Sequence, residues 1–245
     1  MSRAETPRQF RLRAGVTIAN KYRVLHQLGR GWEGEVYRVA ELATGIERAA
    51  KLFYPLRDPR GRVSAWYARK LDRLRRCPIL IPYLTSETLT IRGEPVRALI
   101  SELVEGEVLS RFIRHQPGHR LSAFEGLVFL HRLAMGLESI HAFSDYHGDL
   151  HEENLVVRRV GVDFDLRLVD AYRWSGPRRE SIREDIVDAV RLFHFALGGQ
   201  ARYARQPPEV KAICRGLRKT LILRRFPTAT ALRRHLESFE WQSRR

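Results

Sequence analysis

The sequence predicts an α+β fold of two lobes, with a five-stranded antiparallel sheet followed by a mainly helical part. Three observations predict it. Short β-rich runs at 22–28, 36–40, 48–53, 89–91 and 96–101 all lie before residue 102 and are separated by glycine-bearing turns or a helix. Beyond residue 106 the apolar groups fall at helical spacing, most clearly Leu130, Leu133, Leu137 and Ile140. The 245 residues, 44% apolar and 29% charged, suffice for a sizeable core in one large domain or two lobes.

In chain order, residues 1–20 are basic and lack a period, so they read as a partly disordered arm that becomes a lead-in strand near Gly15–Ile18. The run 22–28 alternates and reads as a strand. It leads into Gly29-Arg30-Gly31-Trp32-Glu33-Gly34, and then into the β-rich run 36–40. A dinucleotide-binding glycine turn would open a helix here, whereas this one joins strand to strand. Ala43-Thr44-Gly45 is the next turn and 48–53 the next strand. Val63, Tyr67, Leu71 and Leu74 mark a helix over 63–76. The runs 89–91 and 96–101 flank an Arg92-Gly93-Glu94-Pro95 turn. Helices are expected at 107–116 and 121–143, then a short apolar strand at 155–157, a long turn over 158–165 and a strand over 166–170. An apolar helix opens at Asp185 and ends at Gly198-Gly199. The expected domains are an arm at 1–20, an N-terminal lobe at 21–102 and a C-terminal lobe at 103–245.

Composition excludes several classes of protein. No run of 18 apolar residues exists, so no membrane span is expected, and the N-terminus lacks the apolar core of a secretory signal. Two cysteines cannot build a disulfide framework, which makes a cytoplasmic location the expectation. The net charge of +16 would draw nucleic acid, anionic lipid or acidic proteins. The basic residues are nevertheless spread along the whole chain, with no zinc knuckle or aromatic RNA-binding strand among them. A basic solvated surface is therefore expected, and nucleic acid is not expected as a partner. His141, His147 and His151 do not have zinc-ligand spacing on one helix, because Gly148 interrupts them.

The chemistry concentrates in His147-Gly148-Asp149-Leu150-His151-Glu152-Glu153-Asn154. An Asp and an Asn five positions apart, ahead of a short strand, suit phosphoryl transfer: the Asp can accept a hydroxyl proton and the Asn carbonyl can hold Mg²⁺. The stretch resembles the catalytic loop of the protein-kinase-like superfamily, with Gly148 where that family has Arg. Other motifs follow the family order over roughly residues 15–240, and the tail around 225–236 is similar to the closing helix of bacterial serine/threonine kinases.

The resemblance implies a bilobal kinase fold that binds ATP with Mg²⁺ between its lobes. It implies a nucleotide flap at Gly29, Gly31, Gly34 and Val36, with Lys51 on the α- and β-phosphates. Backbone groups of Glu102 and Val104 would face the adenine, with Ser101 behind. Asp149 would be the catalytic base, Asn154 and Asp170 would hold the metal, and His147 and Asp185 would brace the loop. One departure is length, since only 173–184 remains for an activation segment. The other departures are Gly148, Ala171 and Tyr172 in place of Phe and Gly, and the lack of any Glu between Lys51 and Ser86. Asp58 and Asp72 are the only acids there, and Asp72 is the one able to replace the helix Glu that pairs with the lysine. The implied activity is ATP-dependent transfer to a hydroxyl, most simply on a serine or threonine of a protein, acidic ones being favoured by the charge. Rival readings are a small-molecule or atypical kinase of the aminoglycoside, choline or ABC1 type, and a nucleotide-binding pseudokinase scaffold.

Overall fold

A computed structural model describes residues 8–171 and 176–239. The chain divides into two compact units, Met1–Arg76 with Ile81–Val104, and Cys77–Leu80 with Glu105–Arg245. Each is described by itself.

The first unit is built on a six-stranded antiparallel sheet in the order β1-β2-β3-β4-β6-β5. Its strands are β1 (Thr17–Ile18), β2 (Tyr22–Arg30), β3 (Gly34–Glu41), β4 (Glu47–Phe53), β5 (Tyr83–Ile91) and β6 (Glu94–Glu102). The sixth member is the two-residue lead-in strand. Tyr37, Val39, Ala50, Leu52, Ala98 and Ile100 alternate onto one face and are buried there. Phe10 and Leu12 cover that face, so the segment from residue 8 onward is docked on the sheet rather than free. The docking is specific. Buried Glu35 accepts the amide of Phe10 at 2.9 Å, the amide of Arg11 at 3.2 Å and the hydroxyl of Tyr54 at 2.9 Å, and it also accepts Tyr37 Oη. Tyr37 Oη in turn accepts the amide of Leu12. Burial works to raise the Glu35 carboxyl, but these donors outweigh it and hold it below the usual value. Burial and Glu35 together push the Tyr37 phenol up to about 12. A buried carboxylate costs several kcal/mol unless its lone pairs are filled, and here backbone and phenol donors fill them.

The helix of this unit is α1 (Arg62–Arg73). Asp58 caps it, accepting the amides of Val63 and Ser64 at 2.8 and 3.1 Å and the Ser64 hydroxyl at 2.6 Å. Ser64, Tyr67, Lys70 and Leu71 form its buried face.

The second unit contains a three-stranded sheet, β7 (Glu107–Val108), β8 (Leu155–Val160) and β9 (Asp163–Leu168), in that order. Its helices are α2 (Leu109–His115), α3 (Ala123–His141), α4 (Arg178–Ala196), α5 (Gly199–Tyr203), α6 (Pro208–Cys214), α7 (Lys219–Arg225) and α8 (Ala229–Glu237). Ser122 and Glu125 close a capping box at the start of α3. Leu130, Leu133, Leu137 and Ile140 are fully buried along α3, as their spacing implies. Cys77–Leu80 joins this unit through backbone pairing. The amide of Leu168 donates to Ile79 O at 2.7 Å, and the Cys77 thiol donates to Ser139 O. A Cβ on Gly136 would sit 2.0 Å from Ile79 Cδ1, so the glycine in α3 makes room for that segment.

Two expectations are corrected. The long turn expected over 158–165 is a β8–β9 hairpin whose turn is only Gly161 and Val162. The helix expected to open at Asp185 begins seven residues earlier, at Arg178, inside the stretch read as activation segment. Tyr172, which stands where the family has Gly, and Arg173 and Ser175 of that segment lie outside the described residues.

Candidate active site

In the first unit the glycine flap is a tight hairpin. Gly29 pairs with Val36 and Arg30 with Glu35, so only Gly31, Trp32 and Glu33 form the turn. Gly31 N donates to Gly34 O at 2.9 Å, and Tyr54 N donates to Glu33 O at 2.9 Å. Gly29 lies in a strand beside a register shift, and a Cβ at Gly29 or Gly31 would meet nothing within 4 Å. Gly34 differs. A Cβ there would lie 2.0 Å from Leu52 O, so this glycine is required by the close approach of β3 and β4.

Lys51 stands opposite Val36 on β3 and Leu99 on β6, on the sheet face away from the buried core described above. Its Nζ is 2.8 Å from Glu33 Oε2, with the two side chains 11% and 22% exposed. The rings of Phe53 and Tyr67 lie 5.0 and 4.8 Å from Nζ. Asp72, the expected substitute for a helix Glu, is 64% exposed and pairs with Arg75 at 3.3 Å. Sequence reasoning missed Glu33. No local pattern marks an acid 18 residues before the lysine as its partner. At the end of β6, Ser101 is buried and Glu102 exposed, and the Glu102 amide donates to Pro82 O at 3.1 Å. Val104 N–H has no hydrogen-bond partner among the described residues and remains available to a ligand.

In the second unit the loop between α3 and β8 converges on one carboxylate. Asp185, 1% exposed, accepts His147 N at 2.7 Å, Gly148 N at 2.9 Å and His141 Nε2 at 3.1 Å. His147 Nε2 donates to Val169 O at 2.9 Å, which fixes the tautomer and leaves Nδ1 to accept Asp149 N at 3.4 Å. Gly148 has φ +88°, so its place is set by backbone conformation, and an arginine there would be strained.

The loop brings Asp149 and Asn154 together. Asn154 Nδ2 donates to Asp149 O at 3.0 Å and to Asp149 Oδ2 at 2.9 Å. Burial works to raise the Asp149 carboxyl. His151, with Nε2 3.6 Å from Oδ2, His147 and the Asn154 amide outweigh it, and the net shift is downward. The Asp149 hydrogen bond raises His151 in turn, against its own burial. His151 was not assigned a role by the sequence. Its position two residues after the Asp is the signal that was there.

Does this donor set fit a magnesium ion? Asn154 is buried, and both its amide N–H bonds go to Asp149, so Oδ1 is left without a partner among the described residues and can serve as a hard oxygen ligand. Asp170 supplies a second oxygen donor and has φ +56°. Val169 ties its strand to the loop, donating its amide to Asn154 O at 3.0 Å. Among the described residues no group of three or more His, Cys, Asp or Glu could hold a metal, so an ion here depends on the Asn154 amide oxygen with Asp170. The donor types fit.

Against known proteins, no family model matches the chain. It is 27% identical over 154 residues to cyclin-dependent kinase B2-2 of Arabidopsis thaliana, covering 60% of this chain and 48% of that protein. It is 28% identical over 157 residues to serine/threonine-protein kinase pkn2 of Myxococcus xanthus, covering 63% of this chain and 18% of that protein. The chain thus spans less than half the length of these relatives. Two crystal structures of the Mycobacterium tuberculosis PknI kinase domain, both double mutants, match at TM-scores of 0.65 and 0.63 with 20% identity. They cover 92% and 93% of this chain and 97% of theirs. The chain has the protein-kinase fold, with a sheet-rich N-terminal unit and a helical C-terminal unit. No helix among the described residues is long and apolar enough to cross a membrane.

Proposed function

We propose that this chain is an ATP-dependent serine/threonine protein kinase, transferring the γ-phosphoryl group to a hydroxyl. The observation that carries the reading is the Asp149–Asn154 pair, held on a loop whose backbone is anchored by buried Asp185. Asn154 holds Oδ2 of Asp149 and leaves Oδ1 to accept the proton of an incoming hydroxyl. The downward shift keeps Asp149 ionised at neutral pH, as an acceptor must be. Lys51 contacts the nucleotide phosphates, the flap residues Gly29, Gly31, Gly34 and Val36 cover them, and the backbone of Glu102 and Val104 receives the adenine. Asn154 and Asp170 are the residues that would hold Mg²⁺, which when bound neutralises charge on the phosphates. The chain's own contribution is alignment of the hydroxyl and acceptance of its proton.

The +16 charge favours acidic protein substrates, and Arg178 and Arg179, exposed in the first turn of α4, are candidate cations for them. The test is transfer from γ-labelled ATP to a panel of acidic and neutral proteins, with wild type and Asp149→Asn. Loss of the base should lower the rate by about 10²–10⁴-fold. Transfer by Asp149→Asn at the wild-type rate, or none by wild type to any protein, would refute the proposal.

A further inference from the structure

The lysine that this reading places on the phosphates needs a carboxylate to hold it, and α1 offers none. Residues Arg62–Arg73 contain one acid, Asp72, which is exposed and paired with Arg75. What α1 presents to Lys51 is the buried ring of Tyr67, packed edge-on against Phe53 at a centroid distance of 6.2 Å. Two aromatic faces stabilise an ammonium group, but they do not fix its direction. A half-buried cation is aligned by a charge-assisted hydrogen bond of defined length, and Glu33 supplies one at 2.8 Å.

The flap is constructed to deliver that carboxylate. The turn is closed by the Gly31 N to Gly34 O bond. Gly34 lets β3 lie against the backbone of Leu52, which follows Lys51. Tyr54, just beyond β4, holds the carbonyl of Glu33. Trp32, the preceding residue, stacks on the Arg57 guanidinium at 3.4 Å. The backbone of Glu33 is therefore pinned to the strand that carries Lys51, and the side chain spans a short, fixed gap.

We propose that Glu33 is a positioning residue for Lys51, doing from the flap what a carboxylate on α1 would otherwise do. Alignment of the lysine then depends on the β3–β4 frame and the closed flap rather than on the placement of α1. The inference rests on the proposed kinase reading.

The experiment uses the full chain as wild type, Glu33→Gln, Glu33→Asp and Asp72→Asn, each checked for an unchanged thermal midpoint. Transfer kinetics are measured with the best substrate, and the Lys51 ¹³Cε resonance is recorded in each variant. Glu33→Gln should lower kcat/KM for ATP tenfold or more and move the Lys51 resonance. Glu33→Asp should recover part of the loss, and Asp72→Asn should behave as wild type. Wild-type or faster transfer by Glu33→Gln would overturn the proposal, as would a loss shared equally by Asp72→Asn. If wild type neither binds nor turns over ATP, the kinase reading fails. The Lys51 resonance then decides the pairing alone, and an unmoved signal in Glu33→Gln overturns it.

Discussion

Asp185 allows the sharpest test of how the loop is held. Its two oxygens accept three N–H groups, from His147 at 2.7 Å, Gly148 at 2.9 Å and His141 at 3.1 Å, at 1% exposure. A hydrogen bond to a charged group contributes about 1.5–3 kcal/mol net, and a buried donor left without a partner costs about 1–3 kcal/mol. Summing these would overshoot, because the loop can relax and admit water. Asp185→Ala, which strands both amides, should cost about 3–5 kcal/mol. Asp185→Asn keeps one carbonyl oxygen but turns an NH₂ toward a donor, and should cost roughly 2–3 kcal/mol. Amide hydrogen exchange reads this locally, at the two amides concerned. In Asp185→Asn, exchange at His147 and Gly148 should accelerate by roughly 30- to 150-fold, at 1.4 kcal/mol per tenfold. Amides of β2 and β3, in the other unit, should be unaffected. Protection at His147 and Gly148 within threefold of wild type would refute the reasoning, since the loop would then hold its shape without the carboxylate.

Two further outcomes are expected. Gly34→Ala should destabilise the first unit by about 1–3 kcal/mol or more, because both near atoms at 2.0 and 2.9 Å belong to the Leu52 backbone, whereas Gly29→Ala meets nothing and should be nearly neutral; equal urea midpoints for the two variants would contradict this. For the Asp149–His151 pair, the raised His151 adds stability that is complete below its ordinary 6.5 and is lost as pH rises through its folded value. The lowered Asp149 adds stability that is present above 3.8 and is lost as pH falls through its folded value. Asp149→Asn should therefore shift the His151 NMR titration downward, and an unchanged midpoint would show that the two do not interact.

Legibility followed the locality of each signal. Strands β2, β3, β4 and β6 alternate apolar residues onto one buried face, and α3 carries an unbroken apolar stripe, so their patterns stand in the sequence. The first half of β5 does not, because Thr85, Ser86, Glu87 and Thr88 present little apolar surface to either face. The β8–β9 hairpin was hidden by charge. Arg158 and Asp165 look like loop residues in a linear reading, yet they are direct cross-strand partners and form an ion pair at 3.1 Å. The start of α4 was hidden in the same way, since 178–180 is Arg-Arg-Glu and the apolar period begins only later. The docking of residues 8–12 depends on Glu35, some 25 residues away, and no local pattern announces it. Within the candidate site, the pairing of Asp149 with Asn154 was legible because both lie on one short loop. The pairing of Lys51 with Glu33 was not, because an ion pair is fixed by geometry; Asp72, the acid the sequence offered, is exposed, and Tyr67 is what α1 presents to the lysine.

Gly148 and α4 together explain why the loop holds without an arginine beside its Asp. An arginine there would bring a charge that calls for an external anion. Here the residue is a glycine at φ +88°, and its amide donates to Asp185. The bracing charge thus comes from inside the unit, from a helix that begins at Arg178 and carries Asp185 in its third turn. Because that helix starts so early, Ser181, which the sequence left in an open segment, is buried in its first turn and presents no hydroxyl for modification. The same residues that shorten the segment therefore supply the loop with its anchor.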